Sequence, residues 1–170
     1  YRAEQLSLER PVALKVFLPR GGHRAEDVER FLREAKSIAR LPHPNVVTVH
    51  DVISRGKMRV IITEYLAGGS LADRLDSGRA LELDVILDVG EGIARALGYL
   101  HTQGIAHRNV KPTNILLSRE LRTYKLAGFG FATGPSVQAQ GDTCFLDSAA
   151  EGFAFLSPEQ GPVDKELGHL

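Results

Sequence analysis

Residues 107–114 read H-R-N-V-K-P-T-N, and they run directly into the apolar tripeptide I-L-L at residues 115–117. Six of these eight residues carry polar or charged side chains. A loop that is anchored by a buried strand holds its polar side chains in fixed positions, and many catalytic and binding sites are built in this way. The segment therefore predicts a functional polar loop that leads into a buried strand.

The order of His107, Arg108, Lys111 and Asn114 resembles the catalytic loop of the protein kinases, whose pattern is H-R-D-x-K-x-x-N. Asn109 stands where that pattern has the Asp that accepts the proton of the substrate hydroxyl. An amide is not ionised, so Asn109 cannot act as that base. The resemblance implies that Lys111 lies beside the phosphates and that Asn114 holds one metal ion. Without the Asp, a solvated Lys111 is an equal alternative.

Composition predicts one soluble globular domain or part of a larger one, since the 170 residues are 43% hydrophobic and 25% charged. The formal net charge is zero, so nothing favours nucleic acid or an anionic membrane as a partner. Cys144 is the only cysteine, which excludes an internal disulfide and predicts an intracellular setting. No apolar run approaches the roughly 18 residues of a membrane span. The chain starts with Tyr inside a predicted strand, so we expect a fragment.

The apolar run V-A-L-K-V-F-L at residues 12–18 predicts a buried strand with Lys15 in its middle. A buried ammonium group without a partner is costly, so Lys15 either pairs with an acid or snorkels from an edge strand. Helical spacing of apolar residues over 25–41 predicts an amphipathic helix, with Glu34 beside its apolar face. In the resemblance, Lys15 and Glu34 pair and fix the α- and β-phosphates of ATP. A purely structural ion pair is the alternative.

The sequence T-E-Y-L-A-G-G-S-L begins at Thr63 and resembles the connection between the two kinase lobes. In the resemblance Thr63 is the gatekeeper residue, and Glu64 to Leu66 form the hinge whose backbone groups hydrogen-bond adenine. Ser70 is a favourable N-cap residue for a short helix. The other predicted elements are strands over 46–52, 60–65 and 124–126, a turn at 55–57 and a core helix over 84–101.

Five apolar or aromatic positions match residues with known places in the kinase fold. Ala13 and Leu116 match the pair that encloses adenine, while Ile38, His107 and Phe129 match three members of the regulatory spine. The alternative is that these residues serve core packing, with or without a nucleotide.

The motif G-F-G at residues 128–130 has Gly128 in place of the Asp of the kinase D-F-G motif, which binds magnesium. Glycine offers no ligand, so a magnesium site is doubtful. Residues 132–152 predict a long loop, and residues 155–159 resemble the A-P-E end of a kinase activation segment. Phe153 stands where serine/threonine kinases carry the Thr that ties this segment to the catalytic loop. Asp142 is the alternative source of a metal-binding carboxylate.

The resemblance predicts an α+β, bilobal protein-kinase-like fold of the bacterial serine/threonine type that is incomplete. Residues 1–66 would form a small β-sheet N-lobe with one helix and the hinge, without the glycine-rich loop. Residues 67–170 would form part of a mostly helical C-lobe, through the catalytic loop and activation segment. The ordered set of motifs covers nearly the whole chain, which makes it far more specific than any one motif.

The resemblance and its departures together predict a catalytically impaired pseudokinase. Such a module would bind ATP weakly and with little dependence on magnesium, and it would act in signalling through contacts with a protein partner. A weakly active ATP-dependent serine/threonine kinase and a nucleotide-free interaction module are the alternatives. A cytoplasmic location is expected, including the cytoplasmic part of a larger membrane-anchored protein.

Overall fold

A computed structural model describes residues 1–17, 28–29, 32, 35–36, 38–78, 80–129 and 155. The described residues from 28 to 38 are helical, in agreement with the helix predicted over 25–41. The predicted 132–152 loop lies outside the described residues, as does the 155–159 motif except Phe155. The bounded elements are β1 (Arg2–Gln5), β2 (Arg10–Phe17), β3 (Val49–Arg55), β4 (Met58–Glu64), α1 (Leu71–Asp76), α2 (Leu83–Thr102), a 3₁₀ turn (Pro112–Asn114), β5 (Ile115–Leu117) and β6 (Tyr124–Leu126).

The first four strands form one antiparallel sheet in the order β1-β2-β4-β3. Its register places Ala13 opposite Thr63 and Lys15 opposite Ile61. Side chains alternate between the two faces of a strand, so these four residues share one face. Ile61 is buried on that face against Ala35 of the helical segment. The sheet therefore presents Lys15 on the face that the helix covers.

Residues 12–17 of the predicted 12–18 strand lie in β2, and Leu18 lies outside the described residues. The prediction that this strand is buried is wrong. Val12 is buried, whereas Lys15 and Val16 are exposed. The edge-strand alternative for Lys15 is wrong as well, because β2 pairs with both β1 and β4. Backbone pairing within a sheet satisfies the peptide groups without covering either face, so an apolar run does not by itself establish burial.

β3 begins later than the strand predicted over 46–52, because Val46 and Val47 pair elsewhere. Val46 forms a parallel bridge with Leu126, and the Val47 N–H donates to the Leu126 carbonyl at 2.9 Å. This short pairing joins the segment before β3 to β6. The strand predicted over 60–65 is confirmed as β4, and the one predicted over 124–126 is confirmed as β6.

α2 supplies one wall of the main hydrophobic core, and it confirms the helix predicted over 84–101. Its buried residues recur at helical spacing, so one face of the helix is turned to the core. They are Val89, Gly92, Ile93, Ala96 and Leu100. Residues of β5 and β6 pack in the same core. The 107–114 loop therefore runs from the end of a packed helix into a strand whose first and last residues are buried.

Asn45 links the segment before β3 to β6 by a hydrogen bond and lies close to α2 at Gly92. Its Nδ2–H donates to the Tyr124 carbonyl at 2.9 Å. A Cβ atom at Gly92 would lie 2.8 Å from that same Nδ2, so the glycine leaves the space that the amide takes. An ordinary side chain at position 92 would have to displace the amide from its hydrogen bond.

The linker between β4 and α1 pairs with β5. The Gly68 N–H donates to the Leu117 carbonyl at 2.9 Å, and the Leu117 N–H donates to the Gly69 carbonyl at 2.8 Å. Ser70 then caps α1, as predicted, because its Oγ accepts from the Asp73 N–H at 3.1 Å and its own N–H donates to the Asp73 carboxylate at 2.8 Å. Within the described residues, no helix has the length and apolar character needed to cross a membrane.

Candidate functional site

His107 fixes the start of the 107–114 loop, because the buried ring makes hydrogen bonds at both nitrogens. Its Nε2 lies 3.0 Å from the Ala127 carbonyl, and its Nδ1 accepts from the Asn109 N–H at 3.2 Å. Phe129 meets the ring edge-on, with centroids 4.5 Å apart. Ile38 and Phe129 lie in the same core cluster. The structure thus brings the three predicted spine residues into one packed region.

Burial lowers the pKa of His107 to about 4, although the hydrogen bond to Ala127 acts in the opposite direction. The neutral ring with its proton on Nε2 satisfies both partners, since Nε2–H donates to a carbonyl and Nδ1 accepts from an N–H. A second proton, on Nδ1, would place two hydrogen-bond donors against each other, because the Asn109 N–H already donates to that nitrogen. The loop is therefore built around an uncharged histidine.

We expect the free energy of unfolding to fall by about 3 kcal/mol as pH drops from 6.5 to 4 because of His107. Above pH 6.5 the ring is neutral in the folded and unfolded chains alike. Below that pH the unfolded chain binds a proton that the folded chain excludes until pH 4, so protonation favours unfolding. Urea denaturation across this pH range measures the effect.

The matched variants are His107→Leu and His101→Gln, of which only the first removes a buried histidine. His107→Leu should flatten the pH dependence, although it lowers stability at neutral pH by removing two hydrogen bonds. His101→Gln removes an exposed imidazole and is the control for the loss of a histidine side chain as such. Burial also lowers the pKa values of His43 and His50, so some slope of the same sign should remain in His107→Leu. A slope equal to that of the parent would contradict the role of His107.

Asn109, Asn114 and Gly128 lie together and are joined by hydrogen bonds. The Asn109 Nδ2–H donates to the Gly128 carbonyl at 3.3 Å, and the Asn114 Nδ2–H donates to the Asn109 backbone carbonyl at 2.8 Å. The Ala127 N–H in turn donates to the Asn114 backbone carbonyl at 2.8 Å. We call Asn109, Asn114 and Gly128 the amide trio. Its contacts close the loop against the segment that carries the altered D-F-G motif.

Gly128 has a positive φ of +80°. This is the left-handed region, which glycine adopts without the steric cost that other residues meet. A Cβ atom at position 128 would collide with the Asn114 amide group and lie 2.5 Å from its Nδ2. The Asn114 side chain thus occupies the place of the side chain that glycine lacks.

The residues present here do not fit a magnesium ion of the kinase type. Magnesium prefers oxygen ligands, usually one or two carboxylates together with phosphate oxygens. Neither position 109 nor position 128 supplies a carboxylate, and Asn114, whose Nδ2–H donates to the Asn109 carbonyl, offers only one neutral amide oxygen. Among the described residues, no group of three His, Cys, Asp or Glu side chains is arranged to hold a metal. Asp142 lies outside the described residues.

Glu64 of the predicted hinge is ion-paired with Lys125 of β6. Lys125 Nζ lies 2.7 Å from Glu64 Oε1, with side-chain exposures of 14% and 24%. The Thr48 N–H donates to the same oxygen at 2.6 Å. Burial raises the pKa of Glu64, but the hydrogen bonds from Lys125 and Thr48 outweigh it and lower the pKa. The hinge is thereby fixed to the sheet that carries Leu116, the residue directly opposite Lys125.

Lys125 is a site residue that the sequence patterns did not single out. The available signal was a lysine between the buried residues Tyr124 and Leu126, because a charge in such a strand requires a partner. Nothing in the sequence pointed to Glu64 as that partner, since the two residues are 61 positions apart.

The predicted adenine-contacting residues lie on β2, the hinge and β5. Ala13 of β2 and Thr63 of β4 are paired on neighbouring strands. Both are partly exposed, as are Leu66 and Leu116. The Thr63 hydroxyl donates to the Glu64 carbonyl at 3.2 Å. These partly exposed residues leave apolar surface beside the predicted hinge, which is what a flat aromatic base requires.

Three predicted phosphate contacts have different outcomes. Lys15 lies exposed on the face covered by the helix. Lys111 is partly buried and has no ion pair with any described residue. Glu34 lies outside the described residues, so its pairing with Lys15 stays a prediction.

Known proteins resemble this chain over most of its length. Residues 1–160 match the protein kinase domain family. A probable serine/threonine-protein kinase of Clostridium perfringens is 37% identical over 94% of this chain and 23% of its own length. The serine/threonine-protein kinase PrkC of Bacillus subtilis is 33% identical over 94% of this chain and 24% of its own length. The chain thus spans about a quarter of these relatives.

The fold has a solved counterpart in a crystal structure of the yeast RNA Pol II CTD kinase complex. The similarity has a TM-score of 0.66 at 28% sequence identity and covers 79% of this chain and 43% of the other. The predicted α+β kinase-like fold is therefore confirmed. The family match over residues 1–160 and the bacterial serine/threonine kinase relatives show that this chain belongs to the protein kinase family.

Proposed function

We propose that this chain is the catalytically impaired, nucleotide-binding part of a longer signalling protein and acts through contacts with a protein partner. The observation that carries the proposal is the hydrogen bond from Asn109 Nδ2 to the Gly128 carbonyl, at 3.3 Å. A carboxylate has no hydrogen to donate to this carbonyl. Its negative charge would instead repel the partial negative charge of the carbonyl oxygen. The position of the family's catalytic base is thus fitted to a neutral amide.

Rate arguments support the loss of phosphoryl transfer. A positioned general base contributes about 10²–10⁴ to a rate. The metal that holds the transferred group contributes several kcal/mol more, and each ~1.4 kcal/mol is tenfold. Kinases turn over at about 1–100 s⁻¹, so the combined loss at Asn109 and Gly128 leaves at most a trace of activity.

Retained residues support nucleotide binding. Ala13 and Leu116 keep apolar surface beside the hinge, and the ion pair of Glu64 with Lys125 holds the hinge strand in place. Lys15 keeps a cation on the same sheet face as Ala13. In this proposal the module lies in the cytoplasm, either by itself or as the cytoplasmic part of a larger membrane-anchored protein.

The test is calorimetric titration of the full-length protein with ATP. We expect weak binding, with a Kd in the micromolar range or poorer. A Kd of 1 μM corresponds to a binding free energy of about 8 kcal/mol. Lys15→Ala should weaken it by removing a phosphate contact. Lys57→Ala is the matched control, because Lys57 is an exposed lysine in the β3–β4 turn, at the end of β4 opposite the hinge.

The same preparation is assayed for transfer of radiolabelled phosphate to itself and to a generic protein substrate. We expect no transfer above background. Transfer at more than a trace rate would contradict the proposal and favour a weakly active serine/threonine kinase. A silent titration would instead favour an interaction module that binds no nucleotide.

A further inference from the structure

Asn114 is held in the space beside Gly128 through both its side chain and its backbone. Its Nδ2–H donates to the Asn109 carbonyl at 2.8 Å, while its backbone carbonyl accepts from the Ala127 N–H at 2.8 Å. A Cβ atom at position 128 would lie 2.5 Å from Asn114 Nδ2. The amide therefore fills the volume that a residue with a metal-binding side chain would need.

We propose that the amide trio converts the family's magnesium-dependent phosphate site into a site for a metal-free nucleoside polyphosphate. This inference rests on the nucleotide binding proposed above. The Asn114 Nδ2–H donates to the Asn109 carbonyl, so this side chain offers a metal only one neutral amide oxygen. Gly128 adds no ligand, and Asn109 adds no negative charge.

The charges at the predicted phosphate and hinge positions favour a polyanion without a metal. Lys111 is partly buried and unpaired among the described residues. Glu64, the acid of the hinge, is already paired with Lys125 at 2.7 Å. Free ATP carries more negative charge than its magnesium complex, and Coulomb attraction to a lysine grows with that charge. The free nucleotide should therefore bind at least as tightly as the complex.

The first experiment compares ATP affinity of the full-length protein in EDTA and in excess magnesium. We expect the two dissociation constants to agree within about threefold, with the tighter value in EDTA. Added salt should weaken binding in EDTA, because it screens charge attraction. Lys111→Met should weaken binding in EDTA by about tenfold, the effect of one charge-assisted hydrogen bond. Lys57→Met is the control of equal charge and should bind as the parent does.

The outcomes separate this inference from the proposed function. Binding that needs magnesium would overturn the metal-free site while leaving a nucleotide-binding module intact. Absence of binding in both conditions would overturn both. Metal-independent binding that Lys111→Met does not weaken would overturn the assignment of the phosphates to this loop.

The second experiment tests the filled volume itself and needs no nucleotide. Gly128→Ala is compared in the parent and in Asn114→Ala, with the melting temperature as the readout. The strain of a positive φ is the same in both backgrounds, whereas the collision with the amide exists only in the parent. We therefore expect a clearly larger loss of melting temperature in the parent than in Asn114→Ala.

Equal losses in the two backgrounds would show that the Asn114 amide does not fill the space beside Gly128, and the inference would fail. If Gly128→Ala does not fold in the parent, its folding in Asn114→Ala is itself the expected rescue. Failure to fold in both backgrounds would count as equal losses.

Discussion

Asn109→Asp combined with Gly128→Asp should raise phosphoryl transfer about 100-fold or more above the parent, whereas either change alone should stay near background. A general base contributes about 10²–10⁴ to a rate, but it has nothing to act on until the phosphates and metal are held. The two roles are coupled, so their effects should not add. Transfer of radiolabelled phosphate by the full-length variants measures the rates.

The structure adds a condition to this recovery. The side chain introduced by Gly128→Asp would sit on a backbone of positive φ, and Asn114 would have to rotate away from the Asn109 carbonyl to make room. The matched control is Asn109→Asp with Gly128→Asn, which has the same shape at position 128 but no charge. It should remain near background. Full recovery from one substitution would contradict the proposal that two coupled defects impair phosphoryl transfer.

Gly68→Ala should lower the free energy of unfolding by about 4 kcal/mol, combining overpacking with two weakened backbone hydrogen bonds. A Cβ atom at position 68 would meet the carbonyl oxygens of Ser118 and Leu117, the latter at 2.6 Å. Backbone atoms cannot turn aside as a long side chain can. The linker would have to leave β5, with the loss of the bonds at Gly68 and Gly69. Urea denaturation measures the change.

Gly90→Ala is the matched control for Gly68→Ala, with the opposite expected sign. Gly90 lies in α2, and a Cβ atom there would meet nothing within 4 Å. Alanine is favoured over glycine inside a helix by roughly 0.5–1 kcal/mol, so this variant should be slightly more stable than the parent. Similar losses for the two variants would show that the close approach at Gly68 is not what stabilises the linker.

Most elements of the fold could be predicted from local patterns in the sequence. The spacing of apolar residues predicted α2, and the polar residues of 107–114 followed by an apolar run predicted a loop entering β5. Ser70 was predicted to cap a helix because the capping hydrogen bonds span only three residues. Each of these features depends on residues that are close together in the sequence, so a short stretch of sequence is enough to predict it.

Features that depend on distant partners could not be read in the same way. The pairing of Glu64 with Lys125 and the bond from Asn45 to Tyr124 join segments 61 and 79 positions apart. Sequence patterns located Asn109 and Gly128 as altered positions. They contained no indication that Asn114 lies in the space beside Gly128, because that arrangement depends on how the loop packs against the segment after β6.

The amide trio also bears on how easily evolution could reverse the change. A first step to Asp at position 109 sets a carboxylate against the Gly128 carbonyl, and a first step at position 128 collides with Asn114. Each reversion taken alone therefore costs stability and restores no activity for selection to favour. Under the proposed function, a lineage with these three residues must cross a fitness valley to gain phosphoryl transfer, because neither single step restores it.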